Sequence, residues 1–144
     1  MFSSFNISAS GMTAQRKRMD IISNNIANVD TTRTEEGGPY RRKMPVFKSR
    51  EAKPFSTMLK DEIDFRQGSG VEISAVVEDT KPFQLIHNPS HPDANQDGYV
   101  EMPNVDITTE MVDMIDASRA YEANVTALNT FKNMAMKALE IGRG

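Results

Sequence analysis

The residues best placed to do chemistry are Asp93, Asn95 and Asp97, in the stretch Asp93-Ala-Asn95-Gln-Asp97-Gly98-Tyr-Val-Glu101. Oxygen ligands at alternate positions followed by glycine are the first half of an EF-hand calcium loop. The pattern then fails where charge matters most. The twelfth position calls for a bidentate Glu and holds Asn104, directly after Pro103. Pro89 and Pro92 break any entering helix. The expectation is therefore no metal, and a turn built on Asx side chains in which Gly98 takes a left-handed conformation. A calcium-binding module using residues 93–104 is the competing reading.

His87 and His91 have His-x3-His spacing, which on a helix would offer two imidazoles to zinc. Pro89 lies between them, so the histidines read as loop residues. The chain has no cysteine, which excludes thiolate metal sites, disulfides and a cysteine nucleophile. It has no Gly-x-Ser-x-Gly elbow and no phosphate-cradling glycine loop. Asp61, Glu62 and Asp64 read as a solvated acidic stretch rather than a catalytic pair. The chain is expected not to be an enzyme and to use no cofactor. Two basic runs, Arg16-Lys17-Arg18 and Arg41-Arg42-Lys43, lack an aromatic stacking platform and sit in a chain of net charge −3. They read as solvated or as salt-bridging between subunits, not as a nucleic-acid surface.

The elements that must position these residues follow from where helix breakers fall. The chain has 144 residues, 38% of them hydrophobic, a size typical of one domain with a modest core. Its seven prolines all lie between Pro39 and Pro103. No apolar run approaches the ~18 residues needed to span a bilayer. The alternation of apolar residues with Ser and Asn over Met1 to Met12, with the first Arg at Arg16, is not expected to act as a cleavable signal.

Residues 106–141 contain no Gly or Pro. Apolar residues at Ile107, Met111, Met114, Tyr121, Val125, Leu128, Ala135 and Leu139 follow three-four spacing, with Ser118 and Lys132 as interruptions. That predicts a continuous helix with a seam on one face. Asp106 is the expected N-cap and Gly142 the expected stop. Phe5, Met12, Met19 and Ile26 recur every seven residues, with Ile22 and Val29 extending the stripe, and predict a helix from Ser4 to Asn28. Its many Ser and Asn residues, and Gly11, make it marginal without a partner. Between them, Tyr40–Phe47 reads as an edge strand because of Pro45. Val71–His87 reads as a hairpin turning at Glu78–Pro82. A short helix is expected over Thr57–Glu62.

The division expected is therefore a discontinuous helical domain, residues 1–30 with 105–144, and a β/irregular middle, residues 31–104. A helix over 106–141 would be roughly 54 Å long. A compact middle of that size is roughly 30 Å across. The tail cannot hide its whole seam inside the chain, even with the head helix covering part of it. The resolution favoured is an antiparallel, coiled-coil-like helical pair whose outer faces pack on other subunits. A tail kinked near Ser118 and folded back is the alternative. Methionines at Met12, Met19, Met111, Met114, Met134 and Met136 suit such adaptable contacts.

The motifs also resemble a known family. Ser8-Ala-Ser-Gly-Met12 through Ser23-Asn-Asn-Ile-Ala-Asn-Val-Asp30 resembles the amino-terminal signature of bacterial flagellar rod and hook proteins. Asn104-Val-Asp106, Glu110-Met-Val-Asp-Met-Ile115 and Ala117-Ser-Arg-Ala-Tyr-Glu-Ala-Asn124 resemble their carboxy-terminal signature. Gly37-Gly-Pro-Tyr-Arg-Arg42, His91-Pro-Asp-Ala94 and Asp97-Gly-Tyr-Val100 narrow the likeness to proximal-rod members. The resemblance implies a structural subunit of the basal-body rod, polymerising helically through its terminal helices and transmitting motor torque. It implies export by the flagellar type III apparatus without signal cleavage, and a place in the rod across the periplasmic space. Partners would be copies of itself, other proximal-rod subunits, the rod-base adaptor and the distal rod. A helical adaptor of the export system is a second alternative. The residues expected to carry subunit packing are Phe5, Met12, Met19, Ile22 and Ile26 against Met111, Met114, Tyr121, Val125, Leu128 and Leu139. Asn24, Asn25 and Asn28 are expected to fix register by inter-helix hydrogen bonds.

Overall fold

The structure, a computed structural model, describes residues 2–50 and 70–142. The helix expected over Thr57–Glu62 lies outside the described residues. In chain order the elements are α1 (Phe2–Ala27), β1 (Lys43–Ser49), β2 (Val71–Glu78), β3 (Gln84–His87), β4 (Tyr99–Met102) and α2 (Ile107–Ile141). The protein is mainly helical, with two long helices flanking a small antiparallel β region, as the periodicities predict.

Polar residues do not break α1 because they bond back to it. Ser10 Oγ donates to the Ile7 carbonyl, Thr13 Oγ1 to Ala9, Asn24 Nδ2 to Asp20 and Asn28 Nδ2 to Asn24. Asp106 caps α2 as expected. Its carboxylate accepts from the Thr108 amide at 3.0 Å and from the Thr109 hydroxyl at 2.9 Å. These bonds stabilise the ionised form and hold the Asp106 carboxyl below its ordinary 3.8.

The strands form two two-stranded sheets, β1 with β2 and β3 with β4. The first is antiparallel, since the Arg50 amide donates to Gly70 and the Asp79 amide to Arg42. In the second, Gln84 pairs with Met102 and His87 with Tyr99. The hairpin expected over Val71–His87 is therefore corrected: β2 and β3 are strands but not partners. The link between them is drawn elsewhere. Asn104 Nδ2 donates to the carbonyls of Asp79 and Lys81, and Arg41 bonds the same two carbonyls. β4 supplies the partner for β3, and the Asn88 amide closes the connection on Gly98.

The chain divides into two compact units, and both helices contribute to each. Unit 1 comprises Met1–Lys17, Val46–Ala75 and Ala117–Gly144; unit 2 comprises Arg18–Pro45 and Val76–Asp116. Within unit 1 the helical segments run antiparallel, with the Phe5 and Phe131 rings 6.2 Å apart and Gly11 against Asn124. Among its described residues the buried ones are small: Ser8, Ser10, Gly11, Ala14 and Ala117. A Cβ on Gly11 would lie 2.8 Å from Asn124 Oδ1, so glycine permits the close approach. Ser10 also ties down the start of β2, accepting from the Val71 amide at 3.1 Å. Within unit 2 the helical segments are again antiparallel, joined through Arg18–Asp113 and Asn25–Glu110. Ile22, Val100, Pro103 and Val105 form its apolar core.

Candidate functional site

The face of α2 turned into the chain carries Glu110, Met114, Ala117, Tyr121, Asn124, Leu128, Phe131 and Ala135, all buried or half-buried. These positions keep three-four spacing, but in a different register from the seam expected from apolar residues alone. Met114, Tyr121, Leu128 and Ala135 belong to both registers. Val125 is half-buried off the inner stripe, and Ile107, Met111 and Leu139 are exposed. On α1, Ile22 is buried, and Phe5, Met12, Met19 and Ile26 are half-buried.

The inner register went unread because two of its members, Glu110 and Asn124, are polar. What the inner register leaves outside is apolar. In unit 2, Ile107, Met111 and Ile115 stand four residues apart on one stripe beside Val112, each about half exposed. In unit 1, Leu139 and Ile141 are 72% and 82% exposed at the end of α2, with Met134 and Met136 preceding them. Large apolar side chains held in water on one face of a helix are the usual mark of a protein–protein contact.

Unit 2 also contains a polar cluster. Glu110 is fully shielded from solvent. Its Oε1 accepts from Arg42 Nε at 2.6 Å and its Oε2 from Asn25 Nδ2 at 3.0 Å. Arg42 reaches on to Asp113 at 3.3 Å and Asp79 at 3.7 Å, and Arg18 meets Asp113 at 2.8 Å. Asn25 uses every bond its amide offers. Its Nδ2 also donates to the Lys43 carbonyl, while its Oδ1 accepts from the Tyr40 hydroxyl and the Lys43 amide. Burial, then the charges of Glu110 and Glu78, hold the Tyr40 phenol above its ordinary 10.0. Asn104 Oδ1 accepts from the Arg42 amide at 2.8 Å.

Asn25 thus makes an inter-helix hydrogen bond, while Asn24 and Asn28 bond carbonyls of the preceding turn. The basic runs need correcting as well. Arg18 and Arg42, read as solvated or as pairing between subunits, pair inside the chain.

The stretch from Asp93 is a turn of the kind expected. Asn95 Oδ1 accepts from the Asp97 and Tyr99 amides, and Gly98 has φ of 77°. Asn95 oxygen is therefore spent on backbone, and Asn104, where a calcium loop needs its bidentate ligand, binds Arg42. Asp93 accepts from the Thr32 hydroxyl. The His87 ring meets Tyr99 edge-on at 5.0 Å. Among the described residues no group of three His, Asp or Glu side chains could hold a metal ion, and no helix is long and apolar enough to cross a membrane.

Comparison with known proteins places this architecture. A family model described as "Flagella basal body rod protein" matches residues 5–33, and "Flagellar basal body rod FlgEFG protein C-terminal" matches residues 96–141. The chain is 50% identical to the flagellar basal-body rod protein FlgC of Bacillus subtilis, covering 99% of this chain and 98% of the relative. It is 48% identical to FlgC of Borreliella burgdorferi, covering 100% and 99%, and 39% identical to FlgC of Salmonella typhimurium, covering 96% of each. With likeness running through both helices and the β region between them, the chain belongs to the FlgC family of flagellar basal-body rod proteins, structural subunits of the rod.

Proposed function

We propose that the chain is a non-enzymatic brick of the proximal rod, polymerising helically through its terminal helices and passing motor torque along the assembly. The observation that carries this reading is the Ile107–Met111–Ile115 stripe of α2, apolar and about half exposed in a chain whose relatives are named rod proteins. Burial of each such side chain by a neighbour contributes up to about 1.5–3 kcal/mol, so a few of them hold a subunit in place. Head-to-tail contacts that do not close into a ring generate a helical filament.

In this reading residues 1–30 with 105–144 form the polymerising domain and residues 31–104 the outer one. Met111 and Leu139 pack on neighbours. Phe5, Met12, Met19, Ile22, Ile26, Met114, Tyr121, Val125 and Leu128 hold the pair that presents them. The neighbours are other copies, other proximal-rod subunits, the rod-base adaptor and the distal rod. Delivery is by the flagellar type III apparatus without signal cleavage, into the rod within the periplasmic space.

The test is Ile115→Asp combined with Leu139→Asp, two exposed positions whose change leaves the inner stripe intact. The variant is expected to be exported but missing from purified basal bodies, with motility lost. Normal motility would overturn the packing reading. Absence of the native chain from detergent-washed basal bodies would instead favour an export adaptor.

A further inference from the structure

We propose that, in the assembled rod, the exposed apolar stripe of unit 2 is covered by the end of α2 from a second copy, and that opposite charge on the two units selects this pairing. The pairing rests on the rod reading above and adds which surfaces meet.

The two units differ in sign. Unit 2 has 6 Lys and Arg against 13 Asp and Glu, a net charge of −7. Unit 1, residues 51–69 included, has 11 against 7, a net charge of +4. The surplus of unit 2 lies on its surface. Its shielded anions, Asp79, Glu110 and Asp113, are matched in number by its half-buried cations, Arg18, Arg41 and Arg42. Arg42 reaches all three of these anions, and Arg18 also meets Asp113. What remains is ten exposed carboxylates against three exposed cations, Arg33, Lys43 and Lys81.

Each unit sets such charges beside exposed apolar side chains. In unit 2, Asp116 follows Val112 by one turn on the same face of α2, and both are exposed. Ile115 and Met111 border them. In unit 1, Lys132, Met136 and Leu139 follow four-three spacing on α2, and all three are exposed. An anion therefore borders the apolar surface of one unit and a cation borders that of the other. Burial of the apolar side chains supplies affinity, and the charges select orientation. Unit 2 against unit 2 brings like charge together and is disfavoured. Unit 2 against unit 1 is a contact between unlike surfaces, which leaves one free surface of each kind and so propagates.

The chain has no cysteine, so single substitutions give unambiguous cross-links. Two full-length chains, Val112→Cys and Leu139→Cys, one of them epitope-tagged, are co-expressed in cells lacking the native chain. Basal bodies are purified and treated with a short bis-maleimide. Each chain carries one thiol, so every product joins two copies. A product joining the two different chains is expected, in greater yield than from either chain alone. Ile115→Cys with Met136→Cys is the second pair, used if either first variant fails to assemble. Asp116→Lys in the first chain should lower the mixed yield about threefold, and Lys132→Glu in the second should restore it. The pairing is overturned, and the rod reading left standing, if both chains enter basal bodies without forming the mixed product. It is equally overturned if the yield is indifferent to both charge changes. Absence of the native chain from basal bodies would overturn the rod reading and this pairing with it.

Discussion

Arg42 Nε lies 2.6 Å from Glu110 Oε1, linking the middle segment to the first turns of α2 at a point water does not reach. The pair sits where three of the stretches that carry the family likeness converge: Asn25 from the head, Tyr40 to Arg42 from the middle, and Asn104 with Glu110 from the tail.

Breaking one side of this pair should cost far more than removing both. Arg42→Met leaves Glu110 buried and unpaired, a loss of about 3–5 kcal/mol. Arg42→Met with Glu110→Leu removes both charges and should cost much less than the two single changes added. Urea unfolding of the four chains, followed by circular dichroism, measures the coupling. Simple additivity would mean the contact contributes nothing specific.

Gly11 in α1 faces Asn124 in α2. Alanine in a helix interior is better than glycine by about 1 kcal/mol. At this position the new Cβ would lie 2.8 Å from Asn124 Oδ1 and 3.0 Å from its Cγ, so the side chain must move. Gly11→Ala is expected to gain little in the native background and to gain that full propensity term in an Asn124→Ala background. Thermal melts of the single and double variants decide it.

Stability should respond to pH through two groups in opposite directions. The folded Tyr40 phenol is raised above 10.0, by burial first and then by Glu110 and Glu78. Its contribution is complete below pH 10.0 and lost as pH rises through the raised folded value. The folded Asp106 carboxyl is lowered below 3.8 by bonds from Thr109 and Thr108. Its contribution is present above pH 3.8 and lost as pH falls through the lower folded value. Tyr40→Phe should flatten the alkaline limb of a stability profile and leave the acid limb unchanged; Asp106→Asn should do the reverse.

The turn before β4 depends on Gly98 and Asn95. An alanine at Gly98 would have to hold φ of 77° with its Cβ 3.0 Å from Pro89 Cγ. That left-handed conformation alone costs about 1–2 kcal/mol. Asn95→Ala removes the acceptor for the Asp97 and Tyr99 amides. Both variants should loosen the β3–β4 pair, read as faster exchange of its cross-strand amides. Calorimetric titration of the native chain with millimolar calcium should give no binding heat, because Asn95 is already engaged.

Much of the fold was legible because its causes are local. Freedom from Gly and Pro bounded α2, and Asp106 declared its cap by being an Asx residue before an apolar run. Asn95 and Gly98 declared their turn in the same way, and the terminal motifs carried the family likeness. Which stripe of α2 faces inward was not legible. Two three-four registers interleave along the helix, and counting apolar residues favours the one containing Ile107, Met111 and Leu139. The tertiary structure chose the other, since a carboxylate can be buried where an arginine 68 residues away reaches it and an asparagine can face inward, half-buried, where a glycine makes room. Strand pairing was settled in the same manner, by Asn104 and Arg41 drawing the Asp79–Lys81 link away from a hairpin. Periodicity reports what one residue prefers; the partner that pays for a buried polar group exists only once distant segments have met.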